Sequence, residues 1–192
     1  MSCSFDRIGI TIDKKENIKT FVDIYNRELE DHLYWGKNSF LSEDSFRDND
    51  GVYRAYIEEE PLFTAMENGE QLVDVIYKYI ETVPDCVFSA WYECAFSNCG
   101  AIVYTTYNYK DGLLTIVDRS SESSYPNYCP ECDWEPYPDD DGCVDGVCSI
   151  YEWRPDEECK CPVCGAALDW EVCFDETTLR MIDGKLDAEE NQ

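Results

Sequence analysis

The chain is poor in histidine and in cations. His32 is the only imidazole in 192 residues, and 15 lysines and arginines stand against 42 aspartates and glutamates. One histidine leaves no Cys–His pair or Ser–His–Asp relay to assemble. Its place near the end of the first expected helix suits a surface group stabilised by the helix dipole. No glycine-rich phosphate loop, H-E-x-x-H or G-x-S-x-G occurs, and with 42 acids a pair of carboxylates arises by chance. These absences point away from an enzyme. The shortage of cations leaves a net charge of −27 and a pI near 4.1. Such a surface repels nucleic-acid phosphates, so direct binding of DNA or RNA is not expected. No apolar stretch approaches the roughly eighteen residues of a membrane span. The N-terminus has no basic segment followed by an apolar run, so no signal peptide is expected either.

Cysteine, in contrast, is plentiful at twelve residues. Four of them form two tight knuckles, Cys129-Pro130-Glu131-Cys132 and Cys161-Pro162-Val163-Cys164-Gly165. Gly165 allows the backbone to turn back and aim N–H groups at sulfur. Twenty-eight residues separate Cys132 from Cys161, enough to return the second knuckle beside the first. Four soft thiolates at tetrahedral reach suit one structural Zn2+, held by Cys129, Cys132, Cys161 and Cys164. Two C-x-x-C disulfides would be strained and reducible, and nothing suggests secretion. Knuckle thiols without a secretory signal place the chain in a reducing cytoplasm. A closed four-cysteine site keeps no position for water, so it argues for structure and not catalysis.

The other cysteines are weaker candidates. Cys143, Cys148, Cys159 and Cys173 would suit a second ion, but their spacing lacks a compact knuckle, and small buried hydrophobes or spare thiols are the favoured reading. Cys94 and Cys99 flank a turn, where a core or turn role is expected, and Cys3 and Cys86 read as inert. Asp141, Asp145, Gly146 and Glu152 fall at positions 1, 5, 6 and 12 of a calcium-loop template, with the soft Cys143 at position 3 arguing against calcium.

Periodicity predicts an α+β fold: an N-terminal β-α-β-α-β-β-β domain over 1–118, a linker over 119–128, a C-terminal zinc-ribbon module over 129–182 and a charged, frayed tail over 183–192. Strands are expected over residues 5–12, 52–58, 88–96, 101–109 and 113–117, the last closing the sheet. Helices follow Asp13 and Asn68, with stripes Ile18, Phe21, Val22, Tyr25 and Leu72, Val75, Ile76, Tyr79, Ile80. Helices should share one sheet face. Within the module, 149–153 and 167–174 read as ribbon strands.

Charge is uneven: residues 1–125 carry a net −12 and residues 126–192 a net −15. Acids crowd the first knuckle, and Asp139, Asp140 and Asp141 follow in one turn; these three are the expected partner-binding residues. Tyr125, Tyr128, Trp134, Tyr137, Tyr151 and Trp153 lie among them, equally suited to an interface or to the module's own core. A surface of this kind would occupy a basic groove on a nucleic-acid-handling protein, each carboxylate meeting an Arg or Lys meant for phosphate. The alternatives are plain solubility, or a cytoplasmic zinc-ribbon adaptor that docks a partner for assembly.

In size, acidity and its stapling set Cys129, Cys132, Cys161 and Cys164, the chain resembles the zinc-bearing anti-CRISPR proteins of phages that act on type II systems. The resemblance covers about forty residues of metal motif and the overall character, and residues 1–125 add no diagnostic motif. It implies a non-enzymatic inhibitor of the RNA-guided DNA nuclease, acting in a host-cell cytoplasm by protein contact that blocks nucleic-acid loading.

Overall fold

Alternating apolar residues fix which way each strand faces, and an eight-stranded sheet follows. The computed structural model describes residues 3–32, 41–59, 67–96, 101–126, 128–136, 147–155 and 158–188. In chain order the elements are β1 (Cys3–Ile12), α1 (Lys15–His32), a 3-10 turn (Glu43–Ser45), β2 (Arg47–Asn49), β3 (Val52–Glu59), α2 (Glu67–Thr82), β4 (Phe88–Phe96), β5 (Ile102–Lys110), β6 (Leu113–Ser121), β7 (Cys173–Ile182) and β8 (Lys185–Ala188). All pairings are antiparallel, in the order β2-β3-β1-β4-β5-β6-β7-β8. The fold is α+β, as the periodicity indicates.

Register stacks the core in rows. Ile12 lies opposite Phe88, Phe88 opposite Tyr109, Tyr109 opposite Leu114 and Leu114 opposite Leu179. Both helices lay their apolar stripes on this face, with Ile18, Phe21, Val22 and Tyr25 from α1 and Leu72, Val75, Ile76, Tyr79 and Ile80 from α2 all buried. Phe21 sits where they meet, its ring 5.2 Å from Tyr79 and 5.6 Å from Phe88. Lys78 of α2 also bonds Glu28 of α1.

Three hairpins close on the dipeptide Asp-Gly. Asp50-Gly51, Asp111-Gly112 and Asp183-Gly184 all have positive φ at both residues, from 50° to 84°. That is the demand of a two-residue turn matched to strand twist.

The sheet is larger than expected. It does not close at Val117: β6 continues to Ser121, and β7 and β8 extend it. Residues 185–188 of the expected frayed tail form β8, while 189–192 lie outside the described residues. Ser149–Trp153 is a turn, closed by Trp153 N–H donating to Ser149 O at 2.9 Å, and not a ribbon strand. Ala167 makes one isolated bridge with Lys160, and residues 173–174 belong to β7. The chain from 122 to 172 is therefore an excursion between two neighbouring strands of one sheet.

Two cysteines belong to this core. Cys94 is 1% exposed, in the core role expected of it, and is disulfide-bonded, where a reducing surrounding was expected. Cys86 is a free thiol, 2% exposed, pushed up to about 11 by burial and by the nearby Asp13 carboxylate. An unfolded thiol titrates near about 8.5. Folding therefore favours the neutral thiol, and this contribution is full below about pH 8.5 and lost as pH rises toward the folded value. Iodoacetamide at neutral to mildly alkaline pH should leave Cys86 unmodified in native protein and label it in denaturant. Peptide mapping that finds native labelling would show the site to be open.

Candidate metal centre

The two knuckles are built alike. In the first, Cys129 N–H donates to Trp134 O at 2.6 Å and Asp133 N–H to Cys129 O at 2.9 Å. In the second, Cys161 N–H donates to Ala166 O at 2.8 Å and Gly165 N–H to Cys161 O at 2.9 Å. Both turns need left-handed backbone just after the last cysteine, at Asp133 (φ 53°) and Gly165 (φ 76°). Glycine adopts this freely and aspartate is among the residues that tolerate it. Leu168 N–H to Cys159 O at 2.9 Å extends the second knuckle into a short hairpin.

The structure brings all four predicted ligands together. Their sulfurs lie within 4.8 Å of one another, with Cys129 to Cys164 and Cys132 to Cys161 both at 3.6 Å. A disulfide would need about 2.05 Å, and all four are free thiols. Around a zinc ion with Zn–S near 2.3 Å, tetrahedral geometry sets sulfurs about 3.8 Å apart. The donor set and spacing fit a soft tetrahedral ion such as zinc.

Electrostatics prepare one sulfur as a thiolate. Burial pushes the Cys161 thiol up, but backbone N–H groups of Cys164 and Val163 outweigh it and bring it down to about 7. Val163 N–H lies 3.4 Å from that sulfur. Cys129 and Cys161 are buried, while Cys132 and Cys164 face outward. Leu168 completes a small core with Trp134, Val147 and Ala166 packed on it.

The excursion is fastened to the sheet face opposite the helices. Arg119 of β6 is 5% exposed and donates through Nε to Trp153 O at 2.9 Å, with its guanidinium 5.6 Å over the Phe174 ring. Tyr151 meets Tyr104 edge-on at 4.9 Å. Trp170 Nε1 donates to Ser121 Oγ at 2.9 Å, and within the excursion Ile150 N–H donates to Ser124 O at 2.9 Å. Of the aromatics weighed as interface or core, Tyr151, Trp153 and Trp134 are packing residues, while Tyr128 is 58% exposed.

Among the described residues no other metal-ligand cluster forms. Cys148 is half-buried with its thiol toward Ser149 O, Cys159 is half-buried beside the knuckles, and Cys173 is exposed at the start of β7. Cys143, the predicted contacts Asp139, Asp140 and Asp141, and the first half of the calcium-like loop lie outside the described residues, as does the side chain of His32. Among the described residues no helix is long and apolar enough to cross a membrane. Asp133, read in the sequence only as one of the acids around the first knuckle, also has a turn role that was not assigned to it. It stands at the same offset as Gly165, and its tolerance of left-handed backbone is the signal that would have found it. Comparison with protein families, characterised proteins and solved structures found no match to this chain.

Proposed function

We propose that Cys129, Cys132, Cys161 and Cys164 hold a structural zinc ion, and that the protein is a non-enzymatic inhibitor that binds a basic surface of a nucleic-acid-handling effector. The observation that carries this reading is the closed four-sulfur cluster within an excursion tied to the sheet at both ends. Four protein ligands leave no position for substrate or water. A stapled loop presents carboxylates at little further entropic cost, which favours binding. Glu131, Asp133 and Glu135 are exposed around the first knuckle, and Asp139, Asp140 and Asp141 continue the run in sequence. A type II CRISPR nuclease, whose basic channel receives nucleic acid, is the leading target on the resemblance drawn above.

Affinity capture from a bacterial lysate containing such a nuclease tests the target directly. Replacing Asp139, Asp140 and Asp141 together by Asn should weaken partner binding about tenfold at low salt, with the difference shrinking as salt screens the charges. Zinc content and melting should not move. Equal binding by mutant and parent across a salt series would make this loop merely solubilising.

A second reading, an adaptor that docks a partner for assembly, draws on a different feature. Val163, at the tip of the second knuckle, is 69% exposed, and Tyr128 stands exposed beside the first. A salt-insensitive interaction lost on Val163→Ser or Tyr128→Ser would favour the adaptor.

A further inference from the structure

The sheet face opposite the helices is only partly covered. The excursion meets it at Tyr104, Arg119, Ser121 and Phe174. Over β2, β3, β1 and β4 the same face holds a cleft of about 590 Å³ lined by Gly9, Arg47, Arg54, Tyr56 and Trp91. Two features of this cleft work against stability and so call for a ligand.

The first is a pair of arginines. Arg47 of β2 lies directly opposite Arg54 of β3 in register, and both are exposed. Like charges facing each other across a strand pair are destabilising. The chain has 42 acids to offer and only 15 cations, yet among the described residues no carboxylate forms an ion pair with either. The adjacent Asp48 is one register position away, opposite Tyr53, and its carboxylate accepts from Gly51 N–H at 3.0 Å. Two guanidiniums with free forks make a bidentate oxyanion site.

The second is an aromatic pair beside Gly9, its two rings tilted 47° to each other. Gly9 lies opposite Tyr56 on one side and Trp91 on the other. A Cβ on Gly9 would fall 2.1 Å from Trp91 Nε1, so the missing side chain lets the indole lie down across β1. It reaches toward Tyr56, with ring centroids 5.8 Å apart. Tyr56 is 56% exposed and Trp91 half-buried. An open aromatic face stacks planar heterocycles with little regard to their edges, and the tilted second ring closes one side of it.

The aromatic pair and the arginines share one face of the sheet at neighbouring positions. Tyr56 and Arg54 are two residues apart on one strand, about 7 Å. That is the reach from a nucleobase across its sugar to the 5′-phosphate. A phosphotyrosine carries its phosphate directly on the ring, too close to span both. A nucleic-acid strand would need a track of cations along its backbone, and the net charge of −27 denies it one.

We propose that this cleft binds a free nucleoside 5′-monophosphate, its base stacked on Trp91 with Tyr56 against its edge and its phosphate held between Arg47 and Arg54. The site is separate from the metal centre and does not depend on the function proposed above.

Calorimetric titration of the full-length, zinc-loaded protein with AMP, GMP, CMP and UMP tests it. Saturable binding with Kd at or below about 1 mM is expected, purines tighter than pyrimidines. Adenosine and inorganic phosphate should each bind at least about tenfold more weakly than AMP, because each engages half of the site. Arg47→Gln and Arg54→Gln should each weaken AMP about tenfold without lowering the melting temperature, since removing one of two opposed charges relieves the pair. Gly9→Ala should lift the indole and reduce binding through the aromatic pair alone, with the indole resonance of Trp91 reporting the movement. The proposal is overturned if no monophosphate saturates at about 5 mM, if the double arginine variant binds AMP like the parent, or if a phosphotyrosine peptide binds more tightly than any nucleotide.

Discussion

Replacing Cys161 by serine is expected to remove the metal and release the 122–172 excursion while leaving the helix-covered sheet folded. Serine offers a hard, protonated oxygen where a soft thiolate is required. Cys161 is the right residue to change because it is buried and receives the Val163 N–H. A bound ion would join Cys129 to Cys164, and a cross-link over a loop of that size stabilises by about 3–4 kcal/mol in the chain-entropy model. For a chain this long, that predicts a melting temperature lowered by roughly 10 °C. Elemental analysis of the parent should find about one zinc per chain, and the variant essentially none. Tryptophan fluorescence should shift as Trp134, Trp153 and Trp170 lose their surroundings. Hydrogen exchange should rise in the excursion and at the β6–β7 pairing, and stay slow in β1, β4 and β5. A parent with less than half an equivalent of zinc and an intact fold would remove the metal from the account.

The larger loss of stability should follow Phe21→Ala. Phe21 is fully buried and its ring meets Tyr25, Phe46, Tyr79 and Phe88. Truncation forfeits the transfer free energy of the ring and leaves a cavity between two helices and a sheet that cannot close over it, about 3–5 kcal/mol. Denaturant titration should show a lowered midpoint with an unchanged slope. Zinc content should be unaffected, because the knuckles pack on a separate small core. A cost under about 1 kcal/mol would mean that the helices are far less firmly seated than the packing indicates.

Residues that alternate or recur over a long stretch were legible in the sequence. Phe88 to Phe96 spells out β4 from end to end, and the stripe from Leu72 to Ile80 does the same for α2. The metal ligands were legible for another reason: C-x-x-C constrains geometry locally, so two copies suffice. The missed strands carry their signal differently. β7 has only Leu179 buried, and its outer residues are acidic or threonine, since one face is half-covered and β8 is short. Its turn, Asp183-Gly184, carries the same dipeptide as Asp50-Gly51 and Asp111-Gly112, yet the surrounding charge made it resemble a tail. The expected ribbon strands failed because Ser149–Trp153 and the residues around Trp170 dock by side chains onto Arg119, Tyr104 and Ser121. Docking of that kind has no period in the sequence.

The excursion leaves the sheet from β6 and returns into β7, where Ser120 and Cys173 stand in register. Entry and exit are thus neighbours, and the four-cysteine segment has two roots where a terminal module would have one stalk. Torque applied to it by a bound protein is divided between adjacent strands, and the guanidinium of Arg119 braces it from below. A protein that met the knuckles would have to fit the orientation that the sheet imposes on them, so shape at the base of the excursion would enter the recognition as well as charge.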